Sequence, residues 1–81
     1  MTTMTAIQYD NPSGLWRTVC YYKGSDGFES FALTQNSENT AHDVAQAMIG
    51  HKTAHGQILV VSVQYQSKTD GDWIETSEYC H

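Results

Sequence analysis

Thr40-Ala-His-Asp-Val-Ala-Gln-Ala-Met-Ile-Gly50 is the stretch on which the reading of the fold turns. Ala41, Val44, Ala45, Met48 and Ile49 stand at i, i+3, i+4, i+7 and i+8, the single apolar stripe of an amphipathic helix. Thr40 suits the N-cap, with Asp43 three residues on to bond back or face the positive helix end, and Ser37, a turn earlier, serves equally. Gly50 is a natural residue to follow the last turn. After a return loop, His51 to Gly56, the period changes to two. From Gln57 to Gln66, Leu59, Val61, Val63 and Tyr65 fall on one face and Ser62, Gln64 and Gln66 on the other, a strand with one core side and one wet side. One striped helix and half-buried strands hide their apolar sides only against each other.

Upstream, Leu15 to Lys23 is rich in β-branched and aromatic residues and carries large side chains on both faces, as in a central strand or one that offers rings to a partner. Gly24-Ser-Asp-Gly27 is short enough to turn it back into Phe28 to Thr34, where Phe31 and Leu33 share a face. A short opening strand, Ala6 to Tyr9, is set off by the turn formers Asp10-Asn-Pro-Ser-Gly14. Downstream, Ser67-Lys-Thr-Asp-Gly-Asp72 supplies a hairpin turn into a last strand, Trp73 to Tyr79. The expected fold class is α+β: an antiparallel β-sheet of four to five strands with one amphipathic helix packed on one face, in the order β-β-β-α-β-β. Residues 1–81 are expected to form a single domain, because a chain of this length buries only about 60–65% of its unfolded surface and has no room for a second lobe.

Nine carboxylates against four Lys plus Arg give a net charge of -5, which opposes approach to nucleic-acid phosphates and anionic lipid. Neither direct nucleic-acid binding nor membrane binding is expected. Trp16, Tyr21, Tyr22 and Phe28 would make a base-stacking sheet, but only Arg17 and Lys23 accompany them, and core packing accounts for most of these rings. The longest apolar run, Ile58 to Val61, is far short of the roughly 20 residues that span a bilayer, and the Met-Thr-Thr-Met-Thr opening lacks a basic, then apolar, leader. A cytoplasmic protein with reduced Cys20 and Cys80 is the expectation; in an oxidising compartment the two could form one bridge.

Enzyme signatures are missing: no Gly-rich phosphate loop, no G-x-S-x-G elbow and no H-E-x-x-H occurs. Cys20 or Cys80 beside His42, His51, His55 or His81 is the nearest approach to a catalytic pair, and small packing thiols with loop histidines explain the same residues. His51 and His55 with Cys80 and His81 would suit zinc only if the fold gathered them, and Asp70, Asp72 and Glu75 lack the ordered loop of a calcium site. No catalysis, no cofactor and no metal is expected.

The carboxylates are uneven. Asp70, Asp72, Glu75 and Glu78 lie within nine residues of one another, interrupted by Trp73, Ile74 and Tyr79. Strict alternation from Trp73 puts Trp73, Glu75, Ser77 and Tyr79 on one face and Asp72, Ile74, Thr76 and Glu78 on the other. An aromatic among carboxylates suits contact with a basic protein surface, the ring supplying buried area and the charges steering encounter. The same acids also serve to protect an edge strand and keep a domain soluble. Asp70, Asp72, Trp73, Glu75 and Glu78 are the candidate partner-binding residues.

The small acidic domain, the Met-Thr-Thr opening, the passage Glu29-Ser-Phe-Ala-Leu-Thr34 into Thr40 to Ile49, and the Asp70-Gly-Asp-Trp-Ile74 hairpin together resemble phage-encoded anti-CRISPR proteins that act on type I surveillance complexes. The resemblance implies a small inhibitor working in the host cytoplasm, blocking a nucleic-acid-binding defence complex by occupying its basic surface. The partner it implies is a protein or ribonucleoprotein complex. The alternative is a self-associating structural or regulatory module, a homodimer in which Leu15 to Tyr22 or the last strand pairs across a two-fold axis.

Overall fold

The structure, a computed structural model, describes residues 14–81. The predicted opening strand at Ala6 to Tyr9 and most of the turn after it lie outside the described residues. The elements run β1 (Trp16–Gly24), β2 (Gly27–Gln35), α1 (Glu38–Met48), β3 (Lys52–Thr53), β4 (Gly56–Gln66) and β5 (Trp73–Cys80). Among the described residues all pairings are antiparallel, and the main sheet runs β2-β1-β4-β5, with the two-residue β3 paired to the start of β4. The expected α+β fold is the one observed, a sheet with one helix laid against it.

β1 is central. It is bonded along one side to β2 and along the other to β4, which explains why its sequence is apolar and aromatic on both faces. Because it is bonded on both sides, it has no edge with which to pair across a two-fold axis, which removes Leu15 to Tyr22 as one of the two routes to the alternative homodimer. The edges among the described residues are β2 on one side and β5 with β3 on the other.

Residues paired across strands share a face. One face carries Trp16, Thr18 and Cys20 of β1, Val61, Val63 and Tyr65 of β4, and Phe31, Leu33 and Gln35 of β2. Helix α1 lies over it with Ala41 and Ala45 fully buried, and these two small side chains let the helix backbone come close. The core is Trp16, Cys20, Ala41, Ala45, Ile58, Val61, Val63 and Tyr65, with Phe31, Met48, Ile49 and Tyr79 packed at its border. A buried polar junction lies within it: the Thr18 hydroxyl is 2.8 Å from Gln35 Oε1 and 3.3 Å from the Ala41 carbonyl.

The helix begins at the earlier of its two expected caps. Ser37 is extended and its Oγ accepts from the Thr40 N–H at 3.1 Å, while Thr40 lies inside the first turn. At the other end Gly50 takes φ +78 and its N–H donates to the Ile58 carbonyl at 2.8 Å, so the chain leaves the helix directly onto β4. The return segment is not purely a loop, since Lys52 and Thr53 pair with Gln57 and Gly56. Gly56 is needed there: its φ is +147, and a side chain would stand 2.9 Å from the Lys23 carbonyl of β1.

Simple alternation fails at two places. Opposite Tyr21 and Tyr22 the register skips Leu59, pairing Tyr21 with Val60 and Tyr22 with Ile58. Ile58 is therefore the fully buried residue and Leu59, expected in the core, is only half-buried. A second shift, in β5, decides the geometry of the candidate site.

Candidate partner-binding site

The β4–β5 register runs Gln66↔Trp73, Tyr65↔Ile74 and Gln64↔Glu75, then skips Thr76 and resumes Val63↔Ser77, Ser62↔Glu78, Val61↔Tyr79 and Val60↔Cys80. Inserting one residue flips everything beyond it to the opposite face. The alternation read from the sequence is corrected accordingly. Trp73, Glu75, Glu78 and Cys80 share the face away from the helix, while Ile74, Ser77 and Tyr79 turn toward it. Trp73, Glu75 and Glu78, three of the five candidate residues, thus stand on one face, the shift having brought Glu78 onto it and taken Tyr79 off it.

Asp70 and Asp72 sit in the turn beside that face, held by local bonds. The Ser67 N–H donates to the Asp72 carbonyl at 2.7 Å, the Gly71 N–H to the Ser67 carbonyl at 3.0 Å, and the Asp72 N–H to Asp70 Oδ1 at 3.0 Å. Gln66 Nε2 adds a bond to the Gly71 carbonyl at 3.1 Å. Both aspartates are exposed, and Lys68 lies in the same turn. The Asx turn folds the Asp70 carboxylate back onto the Asp72 N–H and so fixes the shape of this exposed loop.

On the sheet face, a line of side chains crosses from β1 to β5. The Arg17 guanidinium lies over the Trp73 ring, 4.4 Å from its centroid, and Arg17 Nε donates to Gln64 Oε1 at 2.7 Å. Gln64 Nε2 donates to Ser62 Oγ at 2.9 Å, and Ser62 Oγ donates to Glu75 Oε1 at 2.5 Å. Trp73 is accordingly half-buried, with one side of its ring covered by a cation, and differs from the exposed anchor expected of it. Glu75 and Glu78 are exposed, and Cys80 Sγ lies 3.8 Å from Glu78 Oε1. Four carboxylates against Arg17 and Lys68 leave a local excess of two negative charges.

Arg17, Ser62 and Gln64 were not legible as site residues. Arg17 is 47 residues from Gln64 in the chain, and only the cross-strand register brings them together. A second polar group, also unforeseen, sits on the helix side: His42 Nδ1 is 2.7 Å from the Tyr79 hydroxyl, and His42 Nε2 is 3.7 Å from Glu38 Oε2. Its evident work is to tie the first turns of α1 to β5.

The other constellations considered from the sequence are dispersed. His81 Nε2 lies 3.4 Å from Gln57 Nε2, whereas His55 packs beside the Tyr22 ring at 6.1 Å. Among the described residues no three His, Cys, Asp or Glu side chains gather as a metal-binding group, and no helix is long and apolar enough to cross a membrane. The aromatic platform is divided as well, with Trp16 and Tyr22 on the helix side and Tyr21 and Phe28 on the other. Both cysteines are free. Cys20 is on β1 facing the helix and Cys80 on β5 facing away, with β4 between, so they stand about 10 Å apart on opposite faces, beyond disulfide reach. No family model, no curated protein and no solved structure matches this chain.

Proposed function

We propose that the protein is a non-catalytic binding module that occupies a basic surface on a nucleic-acid-handling protein complex, acting as a stoichiometric inhibitor in the manner of the anti-CRISPR proteins it resembles. The contact surface is the β4–β5 turn with the adjoining sheet face: Asp70, Asp72, Trp73, Glu75 and Glu78. The observation that carries this reading is the bulge at Thr76, which puts Glu78 beside Glu75 and Trp73 instead of behind them. A regular strand would have split the carboxylates between faces and left one of them against the helix side. Bulges near sheet edges re-aim side chains in this way.

The chemistry supports a protein partner over a nucleic acid. Carboxylates at this density repel phosphate and pair with Lys or Arg, and the Trp73 ring, fixed from one side by Arg17, supplies buried area with little conformational freedom to lose. Rim charges of this type act mainly on the rate of encounter and on salt dependence.

The test is capture from a bacterial lysate on immobilised protein, eluted with rising salt, comparing the native chain with the double reversal Glu75→Lys/Glu78→Lys. The expected result is salt-sensitive recovery of a basic nucleic-acid-binding complex, lowered at least about tenfold by the double variant while the fold is retained. Equal recovery by the two chains would remove this face as the contact surface.

A further inference from the structure

Among the described residues the two edges of the sheet are built differently, and β2 is the one left open to another strand. An edge strand offers a row of unpaired N–H and C=O groups, and proteins usually guard it with Lys, Pro, inward charges or a bulge. β5 is guarded twice, by the shift at Thr76 and by Glu75 and Glu78. β2, Gly-Phe-Glu-Ser-Phe-Ala-Leu-Thr-Gln over Gly27–Gln35, has no Lys, no Pro, and Glu29 as its one charge. Its pairing with β1 runs nine residues without a register shift, so the edge is straight. Phe28 is 64% exposed, Leu33 38%, and Ser30, Ala32 and Thr34 are exposed as well. The single charge is engaged within its own subunit, since Glu29 Oε1 accepts from the Tyr22 hydroxyl at 3.3 Å.

We infer that β2 pairs with β2 of a second copy of this chain, antiparallel about a two-fold axis through Ser30, joining two sheets into one. In that register Ser30 faces its own counterpart, Phe28 faces the second copy's Ala32, and Glu29 faces the second copy's Phe31. The exposed ring is thereby set against a small side chain, and no like charges stand directly opposite. The same parity keeps every pair on a common face, so the second copy's helix lies on the same side of the joined sheet. An isologous contact of this kind closes at two copies, because the strand that joins is used up on both sides. The edge spans about 30 Å and lies at the small end of specific interfaces, which makes the dimer concentration-dependent.

Charge sets this contact apart from one with a basic partner. Two chains of -5 repel at long range, so added salt screens the repulsion and strengthens self-pairing, whereas it weakens attachment to a basic surface. This inference does not depend on the proposed inhibitor role.

The experiment is sedimentation equilibrium of the native chain from about 10 µM to about 1 mM, at about 10 mM and about 300 mM salt. The expected result is a mass rising from 9.1 kDa toward twice that value, with the midpoint falling at least about threefold at the higher salt. Ser30→Lys opposes two cations across the axis and is expected to hold the chain monomeric, although it lowers the net negative charge. Gln46→Lys, on an exposed position of α1, makes the same change in charge and is expected to leave association intact or strengthen it. Ala32→Lys provides a second edge variant, and circular dichroism checks that each retains the fold. A mass of 9.1 kDa at every concentration, or association untouched by both edge variants, would overturn the inference.

Discussion

The two faces of the sheet are assembled from the same strands and hold together by different means. The helix side is a largely apolar interior in which Ile58, Val61 and Val63 are fully buried and the polar junction of Thr18 with Gln35 and the Ala41 carbonyl lies beneath the helix, with the His42–Tyr79 pair at its margin. The opposite side has Val19 and Ser62 buried at its centre, but its larger side chains form a polar relay, Arg17 to Gln64 to Ser62 to Glu75, that ends at solvent. Stability resides on the first side, since apolar area removed from water is the dominant favourable term, while hydrogen bonds between part-buried groups exchange one polar partner for another. The second side is expected to tolerate changes of charge without unfolding the domain, as the proposed contact surface requires.

The sharpest way to break this contrast is to remove volume from the covered face. Ile58→Ala is expected to lower the unfolding free energy by about 2–5 kcal/mol, out of the roughly 4–12 kcal/mol typical of a domain this size. The Glu75→Lys/Glu78→Lys variant, altering two exposed side chains on the other face, is expected to change it by no more than about 1–1.5 kcal/mol, mostly because the Ser62 hydroxyl loses its acceptor on Glu75. Urea unfolding of both measures the contrast directly, and similar losses would mean that the outer face also carries the fold.

Thr18→Val tests the covered face at its polar junction with almost no change in volume. Gln35 is buried, so loss of the hydroxyl leaves its Oε1 short of a donor, while the Ala41 carbonyl lies within the helix ladder and loses only a longer contact. The expected cost is about 1–3 kcal/mol by urea unfolding. A neutral result would show that water replaces the hydroxyl and that the helix is seated less tightly than Ala41 and Ala45 imply.

Periodicity disclosed the elements because burial on one side of a helix or strand leaves its mark within a few residues. The stripe from Ala41 to Ile49 and the alternation around Val61 to Tyr65 were of that local kind, and so was the apolar β1. The errors occur where register depends on a neighbouring strand. Leu59 and Ile58 are both large aliphatics, and only the shift opposite Tyr21 and Tyr22 decides which enters the core. At Thr76 likewise, nothing in Trp-Ile-Glu-Thr-Ser-Glu-Tyr signals an extra residue, so Glu78 was assigned to the wrong face. The acidic cluster was legible as composition, whereas Arg17 reached the site through pairing at a distance and left no local trace.

The smallest effect is expected from the two thiols, which sample the two faces one each. Burial pushes the Cys20 thiol above its ordinary value, because the thiolate is disfavoured away from water. The folded state therefore holds this proton more tightly than the unfolded chain, and the contribution is complete below the ordinary thiol value. It is lost as pH rises through the higher value of the folded state, so stability declines on the alkaline side. Burial, then the Glu29 carboxylate and its hydrogen bond, raise Tyr22 in the same sense, and both groups add to the alkaline slope. Comparing slopes of unfolding free energy against pH for the native chain and Cys20→Ala separates them: the variant is expected to keep only the Tyr22 part, at higher pH. Exposed Cys80 meanwhile is expected to react with a thiol reagent at least about a thousandfold faster than Cys20, which waits for unfolding. Equal labelling rates would mean that the covered face opens without global unfolding, and the division of labour between the two faces would then fail at its most protected position.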